Sequence, residues 1–328
     1  MIRNQWYVVL QSRELKAGKP LGATRMGEKM VFWRDAKGSP VCQADLCPHR
    51  GVALSLGCVL EDKIKCPFHG FEFDQTGKCT LVPANGKVSL PPKALKVVNY
   101  PARESHGYIY IWWGEDQETY PELPWFDDLD DSFITSEMVD HWTVDYSRSI
   151  ENQLDVFHIP FVHANTIGRG NRTISDGPLT VFKKDTMEIW VYSRVDDGIT
   201  SAKRASELIA PERKPFLMFR FPHLWMNRIS DDMRITVFFT PIDDENTLIY
   251  LRNYQRFVKI PLLGKLVALL INPASKYILE QDKRVVLSQR PKKTGLRIGE
   301  ILIPADHPII EYRTVREKLQ KEAGQKID

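Results

Sequence analysis

The chain has 328 residues, of which 43% are hydrophobic and 27% charged, and its 45 basic and 42 acidic residues leave a formal net charge of +3. That length suits one large domain or two ordinary ones, and 19 glycines and 21 prolines exclude collagen-like or disordered chains. The nearly balanced charge argues against a nucleic-acid-binding protein.

The beginning of the chain, residues 1–10, lacks the apolar stretch and cleavage site of a signal peptide. The most apolar later stretch, residues 257–271, is short and contains Lys259 and Lys265. A membrane-spanning helix needs about 20 predominantly apolar residues. We interpret this stretch as a buried or amphipathic helix, with a peripheral membrane contact as the alternative, and expect a cytoplasmic protein.

Residues 1–115 alternate short β-rich runs with turn signals. A stretch rich in proline and acidic residues, 120–131, has the composition of a linker. We therefore predict a first domain over residues 1–115 and a second over 116–328. The clearest β-rich runs of the first domain are residues 6–10, 30–33 and 108–113.

The second part opens with a predicted helix near residues 147–159 and closes with helical patterns near 274–289 and 309–321. Strand-like runs lie between them, at 187–195, 235–241 and 247–257. The sequence has no GxGxxG motif and no phosphate-loop motif. We therefore expect no nicotinamide or flavin domain within this chain.

All five cysteines of the chain lie in its first quarter. An odd number of cysteines crowded into one region argues against a secreted disulfide framework, which leaves metal ligands or buried thiols. Two of them stand in Cys-His pairs, Cys47-Pro-His49 and Cys66-Pro-Phe-His69. A [2Fe–2S] cluster with two cysteines on one iron and two histidines on the other needs this arrangement. The alternative is a Cys2His2 zinc site, although common zinc patterns group the cysteines together and the histidines together.

The segments CPHRG and CPFHG resemble the cluster-binding loops of Rieske non-haem iron oxygenases. The resemblance implies a [2Fe–2S] cluster bound by the thiolates of Cys47 and Cys66 and the imidazoles of His49 and His69. Respiratory Rieske proteins carry an additional cysteine in each loop, and neither loop has one here. The remaining cysteines are expected to be small buried residues. They are Cys42, Cys58 and Cys79.

A second group of candidate ligands surrounds Pro160. On a helix, Asp155 and His158 are three residues apart and share a face. His158 and His163 are five apart and would diverge by roughly 140°. Pro160 is expected to end or kink the helix and swing His163 back. Two histidines and a carboxylate with open positions form the facial triad that binds Fe(II), and two unrelated histidines at an ordinary helix end are the alternative.

The third ligand is predicted from periodicity. Asp282 lies on an apolar stripe with Val285 and Val286, where an unpaired charge is costly and a metal would explain it. Glu280 points off that stripe and is expected to be solvated. The alternative for Asp282 is a buried salt bridge, with Arg284 or with a neighbouring strand.

The pattern from Asn152 to His163 matches the catalytic motif of the same oxygenase family, and Asp282 falls where the family's distal aspartate is expected. The resemblance implies an α+β protein, with an all-β Rieske domain followed by a helix-grip (START-like) catalytic domain built on an antiparallel sheet. It implies that Asp155 bridges an iron-binding histidine to a Rieske histidine of the next subunit, and that Asn152 lies near the iron. The implied ligands of the mononuclear Fe(II) are His158, His163 and Asp282.

Within the family, the Trp6-Tyr7 start and the segment 154–163 resemble the vanillate O-demethylase and pheophorbide a oxygenase branch. The resemblance implies a terminal oxygenase that activates O2 and hydroxylates or O-demethylates an aromatic or polycyclic substrate. It also implies electrons from a separate NAD(P)H-dependent reductase or ferredoxin, and a head-to-tail homotrimer. Candidate walls of the substrate cavity are residues 223–227, Phe157, Phe161 and Ile167.

The alternative function is a Rieske electron-transfer protein with a non-catalytic C-terminal module. That function would require the pattern formed by Asp155, His158, His163 and Asp282 to be a coincidence. Iron analysis separates the two, because the oxygenase holds about three irons per chain and the carrier about two.

Overall fold

The computed structural model describes residues 1–168 and 173–326, and the chain divides into two compact units. One unit is Arg3–Leu123. The other is Pro124–Asp328 together with Met1–Ile2, whose Ile2 is fully buried. The sequence placed the division between residues 115 and 116.

The N-terminal unit is built from eleven strands, all paired antiparallel, in three small sheets. The sheet orders are β1-β11-β10, β2-β3-β4-β9 and β5-β6-β7-β8. The strands are β1 (Gln5–Gln11), β2 (Leu21–Arg25), β3 (Glu28–Arg34), β4 (Pro40–Ala44), β5 (Cys58–Leu60), β6 (Lys63–Lys65), β7 (Glu72–Asp74), β8 (Cys79–Leu81), β9 (Asn99–Tyr100), β10 (Ala102–Ser105) and β11 (Tyr108–Trp113).

The two Cys-His segments are loops that follow strands of this unit. The first follows β4, and the second joins β6 to β7. Ile64 on β6 and Phe73 on β7 are fully buried in the same apolar cluster as Cys47 and Cys66, so packing fixes the bases of both loops. Gly57 permits the close approach of this region to β6, because a Cβ there would lie 1.9 Å from the Lys65 carbonyl oxygen.

The second unit contains a seven-stranded antiparallel sheet of order β12-β18-β17-β16-β15-β14-β13. Its strands are β12 (Ile134–Trp142), β13 (Thr173–Lys183), β14 (Thr186–Val195), β15 (Leu217–Arg220), β16 (Leu224–Ser230), β17 (Met233–Pro241) and β18 (Thr247–Gln255). Its α-helices are α1 (Tyr146–Leu154), α2 (Ile159–Val162), α3 (Pro261–Val286) and α4 (His307–Glu322). The predicted α+β class, with an all-β first domain and an antiparallel sheet in the second, is confirmed.

The main core of the second unit lies between one face of the sheet and the helices. Strand residues that alternate along β14 and β15, such as Ile189 and Phe219, meet Leu154 from α1, Leu279 from α3 and Tyr312 from α4. Alternation places these strand residues on one face, and their burial against helices supplies the apolar area that stabilises the unit.

Buried charges hold α1 in position. Arg313 on α4 donates to Glu151 at 2.7 Å and to Glu300 at 2.6 Å, and its side chain is only 2% exposed. Arg148, one turn before Glu151, donates to the Pro291 carbonyl oxygen at 2.9 Å. Paired and hydrogen-bonded in this way, the guanidinium groups fix the helix that leads to the candidate iron ligands.

Helix α3 is longer than predicted, because it runs as one element through Pro273 and joins the apolar stretch 257–271 to the helical pattern near 274–289. Within the described residues it is the one helix that is long and apolar enough to cross a membrane. Length and composition alone support that possibility, and core helices of soluble proteins share both features.

Candidate metal centres

Helix α1 ends earlier than predicted, at Leu154 rather than near residue 159. Asp155 caps the helix with an extended backbone, ψ 121°. Its carboxylate Oδ1 accepts hydrogen bonds from the backbone N–H of Phe157 at 2.7 Å and of His158 at 3.3 Å. The side chain of Asp155 therefore closes a turn that competes with continuation of the helix.

The role predicted for Pro160 is also corrected. Pro160 lies in the first turn of the short helix α2, where its missing N–H needs no partner, and it does not kink a longer helix. His158 precedes α2 as its N-cap and His163 follows it as its C-cap. The two imidazoles converge because they flank one helical turn, and their ring centroids lie 5.3 Å apart.

Asp282 on α3 faces both imidazoles. Its Oδ1 lies 3.0 Å from Nε2 of His163 and 3.3 Å from Nε2 of His158. One potential ligand atom from each of the three residues falls within 4.8 Å of the others. Asp282 and His163 are buried, and the His158 side chain is 14% exposed. The structure thus brings together the three residues that the sequence predicted, and their role as iron ligands stays a prediction.

The environment of Asp282 fits a bound cation. Its Oδ1 is buried and, within the described residues, has no hydrogen-bond donor apart from the two imidazoles. A buried carboxylate oxygen in that state is costly, and a metal held by this oxygen and the two Nε2 atoms would remove the cost. Two nitrogens and one oxygen with open positions suit Fe(II). The predicted alternative, a salt bridge to Arg284, is not formed among the described residues, and Arg284 is exposed.

Gln281 orients His163, and sequence reasoning missed this role. Nδ1 of His163 lies 2.8 Å from the Gln281 side-chain oxygen, which also accepts from the Thr166 hydroxyl at 3.1 Å. An Nδ1–H that donates to Gln281 leaves the Nε2 lone pair directed at Asp282. Gln153 donates to the other oxygen of Asp282 at 3.3 Å. These partners lie more than a hundred residues apart in sequence, so no local pattern indicates them.

The ionisation of the group suits metal binding. Burial alone would raise the pKa of Asp282, but the two imidazoles beside it outweigh burial and lower the pKa to about 2. Burial opposes the charged form of His163, yet Asp282 and Gln281 hold the pKa of His163 above its usual value. The carboxylate is therefore ionised at neutral pH, and a metal would displace a proton that is shared with His163.

Of the other predicted site residues, Asp155 lies beside His158, and Asn152 lies on α1. The Asp155 side chain is 31% exposed, and its Oδ2 is 3.9 Å from Nδ1 of His158, beyond hydrogen-bonding distance. The Nδ2 of Asn152 on α1 is buried and, in the described part of the chain, lacks a hydrogen-bond partner. The bridging role of Asp155 and the position of Asn152 near an iron remain predictions.

The two Cys-His loops have the same backbone hydrogen bonds. In the first, the N–H of Cys47 donates to Val52 at 2.8 Å and the N–H of Gly51 donates back to Cys47 at 2.9 Å. In the second, Cys66 donates to Phe71 at 2.8 Å and Gly70 donates to Cys66 at 3.1 Å. Gly51 and Gly70 have φ of 73° and 72°, a left-handed conformation that glycine adopts without strain.

The side chains of these loops fit a Rieske cluster. The rings of His49 and His69 are exposed, with centroids 4.7 Å apart, and His49 stacks on Phe71 at 4.7 Å. Burial raises the pKa of the Cys47 thiol to about 11, the His49 backbone N–H opposes that shift, and the nearby Cys66 adds to it. An N–H directed at the sulfur is the interaction that stabilises a thiolate ligand.

The prediction that the three remaining cysteines are all buried is wrong for one of them. Cys42 and Cys79 are buried, but Cys58 is exposed. Cys58 begins β5, an edge strand in which alternate residues face solvent and only Val59 turns toward the core. The edge position is the physical reason for the difference.

The candidate cavity walls are divided between the core and the surface. Trp225 and Asn227 lie on the core face of β16, and Trp225 Nε1 and Asn227 Oδ1 are buried without a hydrogen-bond partner among the described residues. His223 is fully buried, which lowers its pKa to about 3 and keeps it neutral. Phe161 and Ile167 are 77% and 54% exposed, so neither belongs to an enclosed wall in this chain.

Two protein-family models match the chain, and each match contains one of the two groups of candidate ligands. Residues 5–101 match the model described as Rieske [2Fe-2S] domain. Residues 142–322, more than half of the chain, match the model described as vanillate O-demethylase oxygenase C-terminal domain. The first match contains both Cys-His loops, and the second contains His158, His163 and Asp282.

Curated relatives match in part. Chlorophyllide a oxygenase, chloroplastic, from Chlamydomonas reinhardtii is 37% identical over 52% of this chain, a match that spans 26% of that protein. The vanillate O-demethylase oxygenase subunit of a Pseudomonas strain is 33% identical over 60% of this chain and 54% of its own length. The matches thus span about a quarter of the first relative's length and about half of the second's.

Among solved structures, dicamba monooxygenase bound to dicamba superposes over 99% of both chains with a TM-score of 0.72 and 21% identity. At that identity the likeness shows the fold. It confirms the predicted architecture of a Rieske domain followed by a catalytic domain with an antiparallel sheet.

We expect Asp282→Ala to remove the mononuclear iron and leave the cluster. The iron content should fall from about three to about two per chain, since the carboxylate is one of the three predicted protein ligands. Metal analysis and the visible spectrum of the cluster measure both centres. The control is Glu280→Ala, which changes an exposed carboxylate on the same helix. Full iron in the Asp282 variant would contradict the assignment.

Gln281→Ala should weaken Fe(II) binding at this site by about 10- to 100-fold, because His163 loses the hydrogen bond that fixes its tautomer. Gln281→Glu should retain an acceptor for Nδ1 and bind iron more tightly than the alanine variant. Titration of metal-depleted protein with Fe(II) under anaerobic conditions gives the affinities. Equal affinity in the alanine variant and the unmodified protein would show that Gln281 has no orienting role.

Proposed function

The chain belongs to the Rieske non-haem iron oxygenases, with a vanillate O-demethylase oxygenase C-terminal domain, and on that basis we propose that it is a terminal oxygenase component. It would use O2 to hydroxylate or O-demethylate an aromatic or polycyclic organic substrate. The observation that carries the proposal is the convergence of His158, His163 and the buried Oδ1 of Asp282 in the same chain as a Rieske domain.

The residues that would hold the iron are His158, His163 and Asp282. When bound there, Fe(II) supplies the reductive activation of O2 and the transfer of oxygen to carbon. The protein contributes the geometry: Gln281 fixes the ring of His163, and Gln153 holds the second oxygen of Asp282. The open positions would face the substrate and O2.

The Rieske cluster would be held by the two Cys-His loops and supplies electrons one at a time. We propose that these electrons come from a separate NAD(P)H-dependent reductase or ferredoxin. His49 and His69 are exposed at the tips of their loops, which would let a neighbouring protein surface approach the cluster closely. We further propose that the protein acts in the cytoplasm.

Asp155 supports a homotrimer in which the cluster of one subunit serves the iron of the next. Its Oδ1 is engaged by backbone N–H groups, whereas its Oδ2 makes no hydrogen bond among the described residues and the side chain is 31% exposed. A carboxylate held in this way can accept a hydrogen bond from a histidine of another subunit and keep the imidazole of His158 oriented on its own side.

The substrate would bind between the sheet and the iron ligands. The core in this region contains apolar and aromatic side chains such as Trp225 and Phe157, which would favour a ring system over a small polar substrate. The buried Trp225 Nε1 and Asn227 Oδ1 offer one donor and one acceptor to a polar substituent of that ring.

Turnover assays test the proposed function. The purified protein, a generic reductase and NADH are supplied with methoxy-aromatic compounds or tetrapyrroles, and products are analysed after reaction under 18O2. We expect 18O in a hydroxylated product, or formaldehyde from a demethylated one, and neither from His158→Ala. A protein that holds about two irons per chain, passes electrons to acceptors and oxygenates none of these substrates would support the carrier function instead.

For the bridging role, we expect Asp155→Asn to retain both metal centres and lose most coupled turnover. The amide keeps the shape of the side chain but no longer accepts hydrogen bonds from two imidazoles as a carboxylate does. Single-turnover reduction of the iron by the cluster measures the transfer, and the iron content serves as the control. Unchanged transfer in this variant would refute the role.

A further inference from the structure

The outer face of helix α3 is apolar in its N-terminal half. Five leucines there fall within an arc of about 120° on the helix surface. Their exposed fractions are 86, 48, 54, 51 and 67%, in chain order. An exposed apolar patch of this kind is uncommon on a protein that has no partner. The residues of this leucine face are Leu262, Leu263, Leu266, Leu269 and Leu270.

The inner face of the same half-helix carries small and polar residues. Gly264 and Ala268 are buried against β12 and the end of β18, and a Cβ on Gly264 would lie 2.3 Å from Ile134 Cδ1. The helix therefore sits too close to the sheet for a leucine to point inward. The usual arrangement of a surface helix, apolar inside and polar outside, is inverted here.

Hydrogen bonds fix the rotation of the helix. The Ser136 hydroxyl donates to the Ala268 carbonyl oxygen at 2.6 Å, and the Gln255 amide donates to the Gly264 carbonyl oxygen at 3.1 Å. Asn272 accepts from Asn253 at 3.0 Å. Because backbone carbonyls and buried amides are engaged, the helix cannot turn its leucines inward without losing these bonds.

The charged side chains of this stretch of the chain have one sign. Residues 246–279 contain no aspartate or glutamate. Lys265 and Lys276 are exposed and border the leucine arc on the same edge, and Lys259 is exposed just before the helix. Within the described residues none of these three lysines forms an ion pair, whereas Arg256 is paired with Asp232 at 2.9 Å.

We propose that the leucine face is a peripheral membrane-binding surface that takes anionic phospholipid. The leucines would enter the boundary between headgroups and acyl chains, as they do in interfacial helices. The lysines would extend along the apolar surface and meet the lipid phosphates. This surface is independent of the proposed oxygenase chemistry, and it would bring the catalytic domain next to substrates that are dissolved in lipid.

The helix lies on the membrane and does not cross it. Its exposed apolar part, 261–271, is about 16 Å long, about half of a bilayer's hydrocarbon core. The second half is bound into the protein, since Leu279, Asp282 and Val286 are buried and Lys283 pairs with Asp140 at 3.2 Å. A two-fold contact with a second copy of this chain is a poorer alternative, because it would set like-charged lysines against each other.

Vesicle flotation of the full chain tests the proposal. We compare phosphatidylcholine vesicles with vesicles that contain about one third phosphatidylglycerol, an anionic lipid. The test variants are Leu266→Ser/Leu269→Ser/Leu270→Ser and Lys265→Gln/Lys276→Gln. The matched controls are Leu90→Ser, at a 91% exposed leucine, and Lys87→Gln, at an exposed lysine elsewhere. All changes are at exposed positions, and thermal unfolding verifies that each variant folds.

The unmodified protein should float with the anionic vesicles, and less so as salt is raised. Partitioning should fall about fivefold for each lysine neutralised and about tenfold for each leucine replaced, and the controls should not change it. Equal binding to both vesicle types would overturn the anionic preference. Absence of binding would overturn the proposal; if the unmodified protein were then a dimer that the leucine variant dissociates, a second copy would be the occupant.

Discussion

The second unit depends on one contact, the approach of two imidazole nitrogens to a single buried carboxylate oxygen. Asp282 belongs to α3, whereas His158 and His163 belong to a segment more than a hundred residues earlier. To bring them together, α1 must end at Leu154 and α3 must pass beneath the turn that follows. The hydrogen bonds of the Asp155 carboxylate secure the first requirement, and the hydrogen bonds of α3 to the sheet secure the second. The ligand geometry is thus a property of the whole unit.

The candidate ligands at the site could be predicted from the sequence because each belongs to a recognisable local pattern. Short spacing indicated His158 and His163, and a charge on an apolar stripe indicated Asp282. The path of the backbone could not be predicted as well. A proline is the stronger helix breaker in isolation, but the Asp155 carboxylate ended the helix first by capturing two backbone N–H groups. Gln281 and Gln153 belong to no such local pattern, because their hydrogen-bond partners are brought to them only by tertiary packing.

Helix α3 illustrates what periodicity can and cannot predict. The spacing of its apolar residues correctly indicates a helix with an apolar stripe. It does not say which side of the helix meets the sheet, and the stripe itself would normally be taken as the inner face. Here the choice is made by Ser136 and Gln255, strand residues whose hydrogen bonds to helix carbonyls demand close approach and therefore small neighbours such as Gly264. Three of the seven strands of the sheet, β14, β17 and β18, by contrast lie where strand-like runs predicted them.

The matched hydrogen bonds of the two Cys-His loops have a consequence for the order of assembly. Each loop is closed by its own backbone, through the N–H groups of a cysteine and a glycine, and its base is packed on buried strand residues. In zinc fingers, by contrast, metal binding provides most of the folding free energy. Loops that are closed by protein atoms alone present their ligands before any iron arrives. The cluster would then be inserted late, into a site that has already folded. Loss of the cluster would leave a folded domain into which a new cluster can be inserted.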